Sequence, residues 1–146
     1  MNIQNNDIYK MNEGNRIMGR KEKEVIGYRQ LCIMQCIWEK GERITILELI
    51  DRLEEKCGQR FSAGSINSLV LKLVDKGFLE QSGKIHQAFT FQAAITEEEF
   101  QQQEIRRMEE RTFRGKPSVL LTALLKQDIS KEELMKMKEI LEQIDE

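Results

Sequence analysis

The run FSAGSINSLVLKLVDKGF (residues 61–78) interleaves small hydrogen-bonding side chains with branched apolar ones. Ser65, Asn67 and Ser68 alternate with Ile66, Leu69 and Val70, Ser62 stands ahead of them, and Arg60, Lys72 and Lys76 flank the set. Asparagine can pair bidentately with the edge of adenine, serine can bond any base edge, and lysine and arginine bind phosphate oxygens. Lys84 and His86 lie a short way downstream and add two more groups suited to phosphate. The chemistry on offer is recognition of a polyanion, with no bond made or broken.

Nothing else in the chain competes with that chemistry. His86 is the only histidine, there is no glycine-rich phosphate loop, and the carboxylates sit in helix starts and charged faces. General acid–base or nucleophilic work needs titratable groups that converge, so an enzyme is not expected. Cys32 and Cys36 are one helical turn apart and could bring two thiols together. A structural zinc site needs four ligands, and Cys57 and His86 are distant in sequence, so no metal or cofactor is expected. The better account of Cys32 and Cys36 is core packing, since free cysteine behaves as a small hydrophobe.

The elements that must position these residues are legible in the spacing. Ile26, Leu31, Met34, Ile37 and Trp38 recur at helical intervals from about Lys23, and Gly41 provides a stop. Thr45 with Glu48 forms a capping box ahead of a second helix whose buried stripe is Leu49, Ile50 and Leu53. After Cys57-Gly58 the chain turns, and Ser62 caps a third helix with Ile66, Leu69, Val70, Leu73 and Val74 on its buried face. The opposite face carries Gly64, Ser65, Asn67, Ser68, Leu71, Lys72 and Asp75. Gly77 ends this helix; Phe78–Gln81 and Ala88–Phe91 read as two short strands, with Ser82-Gly83 helping the turn. Two helices and a hairpin in that order make a helix-turn-helix with a wing, which lays its second helix in the major groove of DNA.

Composition sets the frame. The chain has 146 residues, is 40% hydrophobic and 33% charged, and lacks any apolar run approaching the roughly 18 residues of a membrane span. Its N-terminus is polar with no signal-peptide core, and three cysteines without a pairing pattern suit a reducing compartment, so a cytoplasmic location is expected. The net charge of −2 is unevenly spread: residues 1–92 hold 14 Lys+Arg against 12 Asp+Glu, and residues 93–146 hold 9 against 13. Only the first part could approach a phosphate backbone.

The expected organisation is mainly α with a small β-hairpin: a flexible tail over 1–22, a winged-helix domain over 23–92 and a helical dimerisation domain over 93–146. In the tail, Arg16, Arg20, Lys21 and Lys23 read as a disordered basic stretch. In the last part, Thr96 with Glu99 and Ser130 with Glu133 form two further capping boxes. Between them Gly115-Lys116-Pro117 breaks the chain, and SVLLTALLK is apolar around nearly its whole circumference. Such a helix must be buried on all sides, and so short a segment cannot cover it. The missing cover is assigned to a second copy, through Val119, Leu120 and Leu124 and an a/d-type seam of Leu134, Met137, Leu141 and Ile144.

Four stretches, CIMQCIWEKGERITILELIDRL, SAGSINSLVLKLVDKGFLE, AFTFQAAITEEEF and SVLLTALLKQDISKEELMKMKEILEQID, taken in this order and spacing, resemble the penicillinase and methicillin-resistance repressor family, with its copper-responsive branch. The resemblance covers roughly residues 24 to 145. It implies a homodimeric repressor on palindromic double-stranded operator DNA, with a winged-helix domain and a three-helix dimerisation domain, controlling antibiotic-resistance or metal-homeostasis genes. It also implies a regulatory protease as a partner, cutting in the first C-terminal helix. The chain departs from the family pattern in three places. Arg107-Met108 stands where antibiotic-responsive members carry an Asn-Phe cleavage pair; the C-terminus EQIDE lacks the cysteines of the copper-responsive branch; and Gly64–Ser68 replaces a Lys, Thr and Arg set at the start of the reading helix. That near-neutral face motivates the alternative, a winged-helix protein-interaction module with weak or no DNA reading.

Overall fold

The computed structural model describes residues 25–144. The expected tail, its basic residues and the helix start near Lys23 therefore lie outside the described residues, or at their edge. The first helix, α1, runs Tyr28–Lys40. Ile26 does not belong to it, because Gly27 stands extended as the N-cap and the Gly27 amide donates to Gln30 Oε1 at 3.1 Å. Gln30 thus supplies the reciprocal half of a capping box, satisfying the N-cap amide, while glycine offers no oxygen of its own to the first turn. Gly41 closes the helix in the left-handed region.

A short strand that the spacing did not announce, β1 (Ile44–Thr45), leads directly into α2 (Ile46–Cys57). Thr45 caps α2 through its side chain, which accepts from the Glu48 amide. The reciprocal half of the expected capping box is replaced: the Glu48 carboxylate accepts from Lys40 at 2.6 Å and Arg52 at 3.3 Å. Lys40 and Arg52 hold it below the usual carboxylate range, the Lys40 hydrogen bond contributing most. Gly58 ends α2, and after a short turn Ser62 caps α3 (Ala63–Asp75) by accepting from the Ser65 amide at 3.1 Å.

The end of α3 is a Schellman turn. The Gly77 amide donates to Val74 O and the Phe78 amide to Leu73 O, with Gly77 at φ 89°. This delivers Phe78 and Leu79 into the core at the start of β2 (Leu79–Ile85), which pairs antiparallel with β3 (Ala88–Ala93). The sheet order is β1-β3-β2, with Ile44 opposite Phe91 and Thr45 opposite Thr90. Both strands of the hairpin run longer than expected, and the turn is not at Ser82-Gly83. Gly83 is a bulge inside β2, where the register slips between Ser82 and Lys84, and the Thr90 hydroxyl donates to its carbonyl. The chain reverses at His86-Gln87, both at positive φ (48° and 69°), as a type I′ hairpin turn requires.

The core follows the helical stripes. Ile33, Met34 and Ile37 of α1, Leu49, Ile50 and Leu53 of α2, and Ile66, Val70 and Leu73 of α3 are buried with Ile44, Phe78, Leu79 and Phe91 of the sheet. Cys32 and Cys36 join them, and the Trp38 indole donates to Ile95 O at 2.9 Å.

The chain divides between Glu99 and Phe100 into two compact units. Three helices make up the remainder: α4 (Glu97–Thr112), which begins before that division, α5 (Pro117–Leu125) and α6 (Lys131–Ile144). Thr96 and Glu99 form a complete capping box at 3.0 and 2.9 Å, and Ser130 accepts from the Glu133 amide at 3.2 Å. The break between α4 and α5 is made by Arg114 and Gly115, both left-handed, and Pro117 opens α5 in its first turn. No side chain of α5 or α6 is buried.

Candidate nucleic-acid interface

The outward face of α3 is built by subtraction. Once Ile66, Val70 and Leu73 turn into the core, Gly64, Ser65, Asn67, Ser68, Leu71 and Lys72 are left exposed along one side. They run from the first turn to Lys72 in a helix of 13 residues, and the N-terminal residues are those that contact base edges when such a helix docks. Ser62 is exposed, but its oxygen already caps Ser65, so it holds the end of the helix in place. A Cβ at Gly64 would meet nothing within 4 Å, which leaves open space against the first turn. Leu71 is 46% exposed on the same side; an apolar group there suits a thymine methyl.

The flanking cations differ in what they are doing. Lys72 is exposed on α3 itself. Arg60 lies in the turn before α3, where Asp51 and Glu54 hold it at 2.9 and 2.7 Å and raise its affinity for its proton. The Lys76 ammonium donates to Val25 O at 2.7 Å, clasping the segment ahead of α1. Both have intramolecular partners that a phosphate would have to share. On the wing, Lys84 stands over the Phe89 ring at 4.6 Å and Phe89 is half-exposed, while His86 sits exposed at the tip of the turn.

Two arginines that sequence spacing passed over stand beside these elements, one at the start of α3 and one at the wing. Arg29, in the first turn of α1, lies over the Phe61 ring at 4.4 Å, next to the cap of α3. Arg43, just ahead of β1, brings its guanidinium to 3.6 Å from the Cβ position of Gly83 in the β2 bulge. Each is brought there by tertiary pairing between segments far apart in the chain. The only local signal was an aromatic residue before a helix cap, at Phe61, and a glycine within a strand, at Gly83.

Ser65, Asn67, Ser68, Lys72, Lys84 and His86 therefore all stand exposed on the reading helix or the wing. Arrayed this way they can donate and accept hydrogen bonds along one helix face and supply separated positive charges beside it. Among the described residues no group of three His, Cys, Asp or Glu gathers as a metal site, and no helix is long and apolar enough to cross a membrane.

Comparison with known proteins bears on this surface. No curated protein matches the chain. Among solved structures, the DNA-binding domain of the repressor BlaI is 28% identical over 51% of this chain and 85% of that one, with a TM-score of 0.42. RosR of H. salinarum, in the hsRosR-SG complex, is 16% identical over 84% of this chain and 95% of that one, with a TM-score of 0.50. A mutant MarR from E. coli is 14% identical over 100% of this chain and 99% of that one, with a TM-score of 0.45. The likeness to RosR shows a shared fold. Residues 26–143 match the model of the penicillinase repressor family, which takes in the reading helix, the wing and all three C-terminal helices. The chain belongs to the penicillinase repressor family of winged-helix transcriptional regulators.

Proposed function

We propose that the protein is a homodimeric repressor that occupies a palindromic operator, with one α3 helix in the major groove of each half-site. The observation that carries this reading is the α3 face: a capped helix with its apolar stripe buried and Ser65, Asn67, Ser68, Leu71 and Lys72 facing outward beside a wing. Asn67 is assigned to a base edge; Ser65 and Ser68 bond bases or sugars. Lys72, Lys84 and His86 take phosphates, joined by Arg29 and Arg43. Arg60 and Lys76 share their intramolecular partners with the backbone, and Ser62 positions the helix.

The dimer is supported by α5 and α6. Leu124 and Leu125 are 45% and 49% exposed, Leu141 is 49% and Ile144 72%, with Val119 and Leu134 also exposed and Leu120 and Met137 half-buried. A second copy supplies the cover that an all-round apolar helix needs in water. Two-fold symmetry then fixes the half-sites about one helical turn of DNA apart, or a multiple of it. A regulatory protease acting at the family's cleavage region would have to open the middle of α4 at Arg107-Met108.

Titration of the full chain with DNA from its own promoter region tests the reading. Binding at low salt that falls steeply as salt is added supports it, since phosphate neutralisation releases counterions. Absence of binding at low salt refutes it and leaves the protein-interaction module. Sedimentation at micromolar concentration is expected to give a dimer, and a monomer overturns that half of the proposal.

A further inference from the structure

The wing runs past the third strand of the sheet. β1 pairs with β3 only at Ile44–Phe91 and Thr45–Thr90, because α2 begins at Ile46. Phe89, the next residue along β3, therefore stands where the sheet has narrowed to two strands. Side chains alternate along a strand, so Phe89 shares its face with Phe91. Phe91 is 2% exposed in the core, whereas Phe89 is 50% exposed. An aromatic ring on the core face thus projects beyond the three-stranded part with half of its surface in water.

The residues around the ring suit a polyanion. An unbroken register would set Gly83 opposite Phe89; the bulge sets Lys84 there instead, with its ammonium 4.6 Å from the ring centroid. The Thr90 hydroxyl holds the bulge by donating to Gly83 O, and the Arg43 guanidinium lies 3.6 Å from the Gly83 Cβ position. His86 is exposed at the turn, and no aspartate or glutamate occurs between Glu80 and Glu97. Positive charge beside a bare ring matches a partner that joins phosphates to flat, stacked rings, which is nucleic acid.

We propose that Phe89 is a wedge: it enters the minor groove flanking the half-site, parts one base step and kinks the duplex. This deepens the function proposed above and rests on it. Phenylalanine is among the apolar side chains that unstack base steps, and proteins that use them kink DNA by roughly 20–90°. Lys84 leaves the ring for a phosphate as the ring enters the stack, and Arg43 adds a second cation beside the bulge.

The wedge reads sequence in a way that the near-neutral α3 face does not. TA and CA/TG steps unstack readily, whereas A-tracts are stiff, so the cost of insertion depends on bases that no side chain hydrogen-bonds. A flexible step at a fixed distance from the α3 contacts is therefore part of the operator.

The full chain bound to DNA from its own promoter region is probed with permanganate, which oxidises unstacked thymines. The bend is read by circular-permutation electrophoresis. The wild type is expected to give one hyper-reactive step in each half-site and a bend of at least about 20°. Phe89→Thr, which keeps a strand-forming residue, loses both and binds about tenfold more weakly. Phe89→Leu, still an apolar wedge, keeps both. Changing the reactive step to a stiff AA step weakens the wild type about tenfold and leaves Phe89→Thr unchanged. A wild-type complex that is straight and has no reactive thymine overturns the wedge, whatever the variants do. So does a Phe89→Thr complex that keeps the bend and the reactive step. Absence of binding at low salt fails the repressor reading and the wedge with it; binding without distortion fails the wedge alone.

Discussion

At the scale of single residues, the reading face separates roles that similar side chains could otherwise share. Asn67→Ala is expected to relax base preference at one position by about 1–3 kcal/mol, measured as the ratio of affinities for operator and single-base variants. Lys72→Ala should instead weaken all sequences alike and flatten the salt dependence by about one ion. Gly64 gives a test with opposite signs in two assays. Its first-turn position has room for a Cβ, so Gly64→Ala should raise the stability of the free protein by about 0.5–1 kcal/mol. It should also weaken DNA binding if a phosphate rests against that turn; a gain in both assays removes the phosphate from Gly64. The polar residues of the face were legible in the chain because the helical stripe behind them was. Arg29 and Arg43 were not, since an arginine becomes part of a surface only when a distant element brings it there. Nor could spacing show that Arg60 is held by Asp51 and Glu54, because partners nine and six residues apart across a turn leave no periodic trace.

At the scale of elements, the caps were the best-marked features of the chain, because a serine or threonine three residues before an orphan amide is a local signal. Ser62→Ala should lower the melting midpoint by the equivalent of about 1 kcal/mol, most of it from fraying at the start of α3. The wing was the least legible element. Ser82-Gly83 looks like a turn to local chemistry, yet the register of β3 against β2 makes Gly83 a bulge and moves the reversal to His86-Gln87. Gln87 lacks the freedom of glycine at positive φ, and His86-Gln87 is not the Asn-Gly pair that a type I′ turn prefers. Replacing them together, His86→Asn with Gln87→Gly, is expected to stabilise the hairpin by about 1 kcal/mol. The ion pair between Lys40 and Glu48 gives a smaller, pH-dependent effect. Its carboxylate sits lower in the folded chain than the 4.5 of the free group, so its contribution is present above that pH and fades as acid takes the folded group through its own value. In Glu48→Gln that part of the acid sensitivity should vanish, leaving a flatter stability profile below about pH 5, read by thermal melts across the acid range.

At the scale of the molecule, the chain is two units, and among the described residues most of the exposed large hydrophobic side chains lie in the second. A charge placed on the α5 face, Leu124→Glu, should shift sedimentation from dimer to monomer, while the near-UV signal of Trp38 in the first unit stays native. Loss of that signal would mean the two units do not fold independently. The proposed second copy rests on one argument in both sequence and structure: an all-round apolar helix calls for cover, and α5 has no buried side chain. The near-neutral α3 face has a consequence beyond affinity. A regulator in a cell competes with itself across millions of wrong sites, and what holds it there is charge, not base contact. On the proposed function, a reading helix with Lys72 as its one exposed cation is expected to hold the protein only briefly at each wrong site, read as weak binding to non-specific DNA at physiological salt. In that proposed role thin charge favours the search, since fewer copies are sequestered by the rest of the genome.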